Sequence, residues 1–291
     1  MKPCDMSVIV RTCCRPQLLQ RALGSICEQT VLPKEIIVVN NGGDELGATG
    51  LKYLDVGIPA IRIIQHARPV GRGASLNAGI RNATGAWIGF LDDDDTWAPD
   101  FCARMIAVLE RAGTAPAAVA CQTVTIVEKL NNMGGPKECH RSLFNPEFYA
   151  VDLSILAAAN QFTINALVVA KEAWQELAGF REDLELLEDW EFNVRLALSH
   201  EVVALSEPLA HYHRRPSEKG DAANTSQIAH IKVHHRIVNE WIRADVKTGR
   251  FGLGYLSAIA AARSDTQRLH SWARLIERFR SRWRRLLGRQ Y

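Results

Sequence analysis

No run of apolar residues in this 291-residue chain approaches the roughly 18–20 that a membrane-spanning helix needs. The longest candidate, Phe251 to Ala262, is interrupted by Gly252, Gly254 and Ser257. The opening MKPCDMSVIV leads straight into a strand and lacks the apolar core of a secretory signal, so a cytoplasmic location is expected. The cysteines (Cys4, Cys13, Cys14, Cys27, Cys102, Cys121 and Cys139) are 7 in number, with no CxxC pair and no Cys/His zinc spacing. An odd, scattered set suits free thiols in a reducing compartment better than a disulfide scaffold. Internal repeats and low-complexity tracts are also missing. The loop Arg11-Thr12-Cys13-Cys14-Arg15 contains no glycine, which argues against the Gly-rich phosphate loop of a nucleotidyltransferase.

What remains is ordinary globular composition, 47% hydrophobic and 23% charged, enough to bury a core and too apolar for disorder. The net charge of +3 hides an asymmetry. Residues 1–215 carry 20 Lys+Arg against 26 Asp+Glu, whereas residues 216–291 carry 15 against 6. An acidic body argues against a general nucleic-acid binder, and the basic end faces a different partner.

Short β-branched runs alternate with helical periodicity. Ser7–Val10, Glu35–Val39, Ile61–Ile64 and Trp87–Leu91 read as strands, and Pro16–Gln29 and Gly73–Ala83 as helices. This is the pattern of βαβ units and a mostly parallel sheet, an α/β fold. Ligands of such sheets bind beyond the carboxyl ends of the strands. Three polar clusters fall there: Arg11-Thr12, Asn40 to Asp44, and Asp92 to Asp95. Further along, 117–127, Ile164–Val169 and Val202–Ala204 read as strands and Leu187–Leu198 as a helix. Residues 131–150 and His211–Ser226 read as loops.

Four consecutive aspartates repel one another unless a cation sits among them, and a hard divalent ion binds through one or two carboxylates plus substrate phosphates. Glu188-Asp189 opens a helix. Such a pair answers the helix dipole, and it supplies a general base if it faces the metal. Arg68, Arg72 and Arg81 surround Gly71 and Gly73, a combination suited to phosphate.

Taken in order, these segments resemble family 2 glycosyltransferases over roughly residues 6–215. The resemblance rests on Ser7-Val8-Ile9-Val10-Arg11-Thr12 with Arg15-Pro16, and on Asn77-Ala78-Gly79-Ile80 with Ala83-Thr84-Gly85. It continues in Phe90-Leu91-Asp92-Asp93-Asp94-Asp95-Thr96-Trp97-Ala98-Pro99 and in Glu188-Asp189-Trp190. It implies a GT-A fold, a Rossmann-like sheet flanked by helices. It further implies inverting transfer of a sugar from a nucleotide diphosphate donor to a hydroxyl of a glycan or lipid-linked acceptor. Carried over by residue, Thr12 and Asn40 line the nucleoside pocket and Asp92 contacts the ribose region. Arg15, Asn41, Arg72 and Asp93 complete the donor set. Asp94 with Asp92 binds Mn²⁺ or Mg²⁺, with His213 as a third ligand, and Asp189, beside Glu188, is the base. The family usually has Asp-Asp or Asp-Asn where this chain has Asn40-Asn41, which leaves UDP and dTDP as first expectations for the donor base. It also has Ala-Arg where this chain has Ser75-Leu76, so Arg72 stands in for a missing basic contact. The alternative is a GT-A-like protein that binds a nucleotide sugar or scaffolds a partner without turnover.

The implied organisation is a catalytic domain over 1–215, with a nucleotide-sugar half (1–110) and an acceptor half (111–215), and a helical basic region over 216–291. Leu269, Trp272, Ile276, Phe279, Trp283 and Leu286 recur at helical spacing, and eight arginines lie between 266 and 291. That stretch suits an anionic membrane surface, which would place the protein peripherally on the inner face of a membrane; the alternative is that its apolar face docks on the catalytic domain or a second copy and the arginines are merely solvated.

Overall fold

The computed structural model describes residues 3–42, 45–46, 59–111, 116–130, 136–216 and 227–262. The arginine-rich stretch 266–291 lies outside them.

Strand β1 (Cys4–Thr12) is the spine of the first half. Met6 to Val10 are fully buried, because parallel neighbours and covering helices leave neither face wet. It pairs in parallel with β2 (Pro33–Asn41) on one side and with β4 (Trp87–Asp92) on the other, and β2 pairs in parallel with β3 (Ala60–His66). Helix α1 (Pro16–Cys27) follows β1 directly and starts at a proline, whose fixed φ suits a first turn. Helix α2 (Arg72–Asn82) joins β3 to β4. The register aligns Thr12 with Asn40 and Arg11 with Asp92, so the three polar strand ends share one rim.

After the two-residue strand β5 (Thr96–Trp97) comes α3 (Phe101–Arg111), and then the second half of the sheet. Strand β6 (Ala118–Leu130) carries the hairpin strand β7 (Pro136–Leu143). The small helix α4 (Leu153–Leu156) precedes β8 (Leu167–Ala170), which lies antiparallel between β4 and β6. Helices α5 (Lys171–Glu176) and α6 (Glu188–Ser199) lead to β9 (Val202–Arg214), parallel to β6 and antiparallel to β5. The spatial order is β3-β2-β1-β4-β8-β6-β9-β5. Helix α7 (Gln227–Thr248) buries Val233, Ile237 and Trp241 in the same apolar cluster as the sheet, and a further helix spans 253–262.

Two stretches read as loops are strands. Every residue of β7 is exposed, so the segment shows no apolar alternation; its order comes from pairing with β6 alone. Strand β9 runs on to Arg214 because β6 pairs with it that far, with β5 on its other side at Ala210 and His211, and polar side chains such as His213 are buried by partners distant in sequence.

Two motif residues explain themselves as packing. A Cβ on Gly79 would meet Ile9 Cγ2 at 2.5 Å, so α2 can approach β1 only with glycine there. The buried Asn77 donates to Phe180 O and Glu182 Oε1, both at 2.9 Å. It accepts from Phe180 N at 3.0 Å and Trp174 Nε1 at 3.2 Å, which fixes α2 to the turn before α6.

Buried Glu35 ties three segments together. It accepts from Ser7 Oγ at 2.7 Å, Thr84 N at 2.6 Å and Arg62 at 2.5 Å. Burial opposes its charge, but these donors hold the carboxyl down to about 2 against its usual 4.5. The depressed value means the contribution is present above the unfolded value and is lost as pH falls towards 2. Glu35→Gln is expected to cost about 2–3 kcal/mol at pH 7, and much less at pH 3, in chemical denaturation. An equal cost at both pH values would contradict the assignment.

Candidate active site

Arg11, at the end of β1, grips Asp92 at the end of β4. Its Nε donates to Oδ1 at 2.8 Å and its second terminal nitrogen to Oδ2 at 2.9 Å. The remaining nitrogen donates to Glu188 Oε1 on α6 at 2.8 Å. One guanidinium therefore joins the aspartate run to the Glu188-Asp189 pair. Burial works against both ions, yet Arg11 holds Asp92 below the usual carboxylate range, and Asp92 and Glu188 push Arg11 up.

Fully buried Asp93 accepts from Thr12 Oγ1 at 2.7 Å and from Arg15. Burial, with Asp94 acting in the same direction, pushes it up to about 7 against Arg15. Arg15 also reaches Asp94 Oδ2 at 3.3 Å. Thr12 and Arg15 thus brace the aspartate loop from beneath. The buried Asp95 is held by its neighbours. It accepts from His213 N at 3.0 Å and Asn165 Nδ2 at 2.9 Å, and burial and Asp94 drive its carboxyl well up.

Carboxylate oxygens of Asp92, Asp94 and Asp95 lie within 4.8 Å of one another. An all-oxygen, anionic donor set suits a hard divalent cation such as Mg²⁺ or Mn²⁺. Asp94 also bonds Arg215, which is fully buried and donates in addition to Glu128 Oε1 at 2.8 Å. His213 has both ring nitrogens engaged, Nδ1 with Glu128 Oε2 at 3.0 Å and Nε2 with Thr96 Oγ1 at 2.9 Å. It would reach an ion only after releasing one of them.

Asp189 stands in the first turn of α6, half-buried, and accepts from Asn160 Nδ2 at 3.1 Å. Asn160 in turn accepts from Asn193 at 3.2 Å. Burial and the neighbouring Glu188 push Asp189 up to about 6, with Arg11 and Arg72 pulling the other way. The residue before the pair, Leu187, adopts φ +64, a left-handed conformation uncommon for leucine and of the kind that collects at functional sites.

The charge of the exposed Arg72 bears on both Asp92 and Asp189, and its backbone carbonyl accepts from Arg11 at 3.4 Å. Asn40 donates to Gln65 Oε1 at 2.8 Å. Asn41 is committed to the loop before α2, donating to Val70 O at 2.9 Å and accepting from Val70 N at 2.8 Å. The sequence alone puts Arg11 on the ligand rim without a role, and it does not single out Glu128 or Asn160. For Glu128 a signal existed: it continues the buried alternation Val124, Ile126 along β6.

The profile described as Glycosyl transferase family 2 matches residues 7–154. The chain belongs to that family, and it is a glycosyltransferase. Among curated relatives, the uncharacterized glycosyltransferase YwdF of Bacillus subtilis is 27% identical over 68% of this chain and 69% of its own length. Solved structures superpose with lower identity. The TarS fragment of S. aureus, in complex with UDP-GlcNAc, gives a TM-score of 0.60 at 19% identity, covering 81% of this chain and 66% of that one. The mannosyltransferase PcManGT of Pyrobaculum calidifontis, in complex with GDP-Man and Mn²⁺, gives 0.55 at 19% identity over 94% and 81%. At such identities the likeness carries the fold, which is GT-A.

Proposed function

We propose that this family 2 glycosyltransferase moves a sugar, with inversion, from a UDP or dTDP donor to a hydroxyl of a glycan or lipid-linked acceptor, using Mn²⁺ or Mg²⁺. The observation that carries the proposal is the set of close carboxylates at the end of β4, bound through Arg11 to the Glu188-Asp189 turn. The PcManGT complex with GDP-Man and Mn²⁺ supports the metal by analogy of fold.

When bound by Asp94 and Asp92, the ion would neutralise charge on the departing diphosphate. His213 would join it once Nε2 lets go of Thr96. Thr12 and Asn40 line the nucleoside pocket, and Asn41 shapes its wall by fixing the 66–72 loop. Arg15 and Asp93 keep the aspartate loop in place, and Arg72 presents charge to the phosphates. Asp189 takes the proton of the acceptor hydroxyl, with its oxygen oriented by Asn160. Glu188, locked to Arg11, lies beside Asp189 and pushes that carboxyl up. The proposal includes peripheral docking on anionic lipid at the cytoplasmic face through residues 266–291. No helix among the described residues is long and apolar enough to cross a membrane.

Isothermal titration with UDP, dTDP, GDP and CMP, each with and without Mn²⁺, tests the reading. UDP or dTDP is expected to bind at least about tenfold tighter with Mn²⁺, and Asp94→Asn to remove that increment. GDP or CMP binding alone would overturn the base assignment. Binding of none of the four would overturn the donor site.

A further inference from the structure

Two thiols occupy the turn between the residues that brace the aspartate loop. Cys13 Sγ lies 3.7 Å from Cys14 Sγ, with Cys14 exposed and Cys13 half-buried. Adjacent side chains in extended backbone point to opposite faces. Here they converge because Cys14 takes φ +56, a conformation that costs a non-glycine residue about 1–2 kcal/mol. The turn is clamped on both sides. Thr12 is bonded to Asp93, Arg15 to Asp93 and Asp94, and Pro16 has its φ fixed by its ring.

We infer that Cys13 and Cys14 form a redox-closable dithiol that switches the donor site off when oxidised. The inference rests on the donor reading above, since it names a regulation of that same site. In the closing step a disulfide oxidant RSSR takes two electrons from the pair. A Cys13–Cys14 S–S bond forms, the S–S bond of RSSR breaks, and two RSH leave with the two thiol protons. The sulfurs need to approach from 3.7 Å to about 2.05 Å. The Cα atoms of neighbouring residues are about 3.8 Å apart, short of the roughly 4.4–6.8 Å that an unstrained disulfide prefers. The ring is therefore strained, and strained disulfides are readily reduced, which makes the switch reversible. Closing it twists the peptide between the two residues. Thr12 and Arg15 are one residue away on either side, so the twist draws them off Asp93. A buried carboxylate then loses its partners, and the aspartate loop loses its brace.

The test treats the full-length protein with oxidised glutathione and reads both intact mass and nucleotide affinity. A loss of two hydrogens in the peptide spanning 12–21 is expected, with the affinity of the nucleotide that binds reduced protein falling by about tenfold or more. Dithiothreitol should restore both. Cys14→Ser and Cys13→Ser are each expected to keep nucleotide affinity and to lose the response. If glutathione adds to exposed Cys139 while peptide 12–21 keeps its hydrogens, the dithiol is overturned. If the disulfide forms and affinity does not change, the switch is overturned although the dithiol stands. Should reduced protein bind no nucleotide, the donor reading fails and the switch with it, while the mass of peptide 12–21 still decides the dithiol.

Discussion

Asp189→Asn is expected to lower kcat by about 10²–10⁴-fold while nucleotide affinity stays within a factor of about two. Asparagine keeps the shape and still accepts from Asn160, so α6 and its contacts survive. It removes only the ability to take a proton. The pH profile separates this role from a structural one. Burial and Glu188 raise the carboxyl to about 6, and the base works in its deprotonated form. The parental kcat/KM should therefore rise about tenfold per pH unit below 6 and level off above it. In Asp189→Asn that limb should vanish. A variant that keeps near-parental turnover, or the same limb, would remove Asp189 from the chemistry. Glu188→Gln should act differently. It takes a buried charge from Arg11 and the repulsion from Asp189, so the limb should move to lower pH.

How much of this was legible beforehand follows from where the information resides. Strands β1, β2 and β4 announce themselves because a central parallel strand buried on both faces must be continuously apolar and β-branched, as Val8-Ile9-Val10 and Ile36-Ile37-Val38-Val39 are. The aspartates were legible because a strand end marks a rim. Strand β7 was not, since a ribbon with both faces wet carries no period. Neither was the far end of β9, where polar side chains are buried by partners on β5, on β6 and in the aspartate loop. The geometry of the candidate site depends on such pairings. Arg11 meets Glu188 across 177 positions, and Arg215 meets Asp94 across 121. Local pattern names acids and bases, but which cation neutralises which acid is decided only when the sheet closes.

The largest stability effect is expected at Glu128, where that closure is tightest. Its carboxylate is almost wholly buried and accepts from Arg21 at 3.0 Å, Arg215 at 2.8 Å and His213 Nδ1 at 3.0 Å. Burial alone would raise it, but these donors bring it down to about 2. Arg215 has no solvent to fall back on, so its charge depends on Glu128 and Asp94. Glu128→Ala leaves two guanidiniums competing for Asp94 and its backbone, and removing one member of a buried ion pair costs about 3–5 kcal/mol. A lower denaturation midpoint of that size is expected, together with weaker Mn²⁺ binding, because Asp94 is then drawn more strongly to arginine. Glu128→Gln keeps the hydrogen-bonding shape without the charge and should fall between the two. A cost below about 1 kcal/mol for alanine would mean that Arg21 and Arg215 turn to water, as exposed pairs do. In that case β6 would be a passive wall of the site.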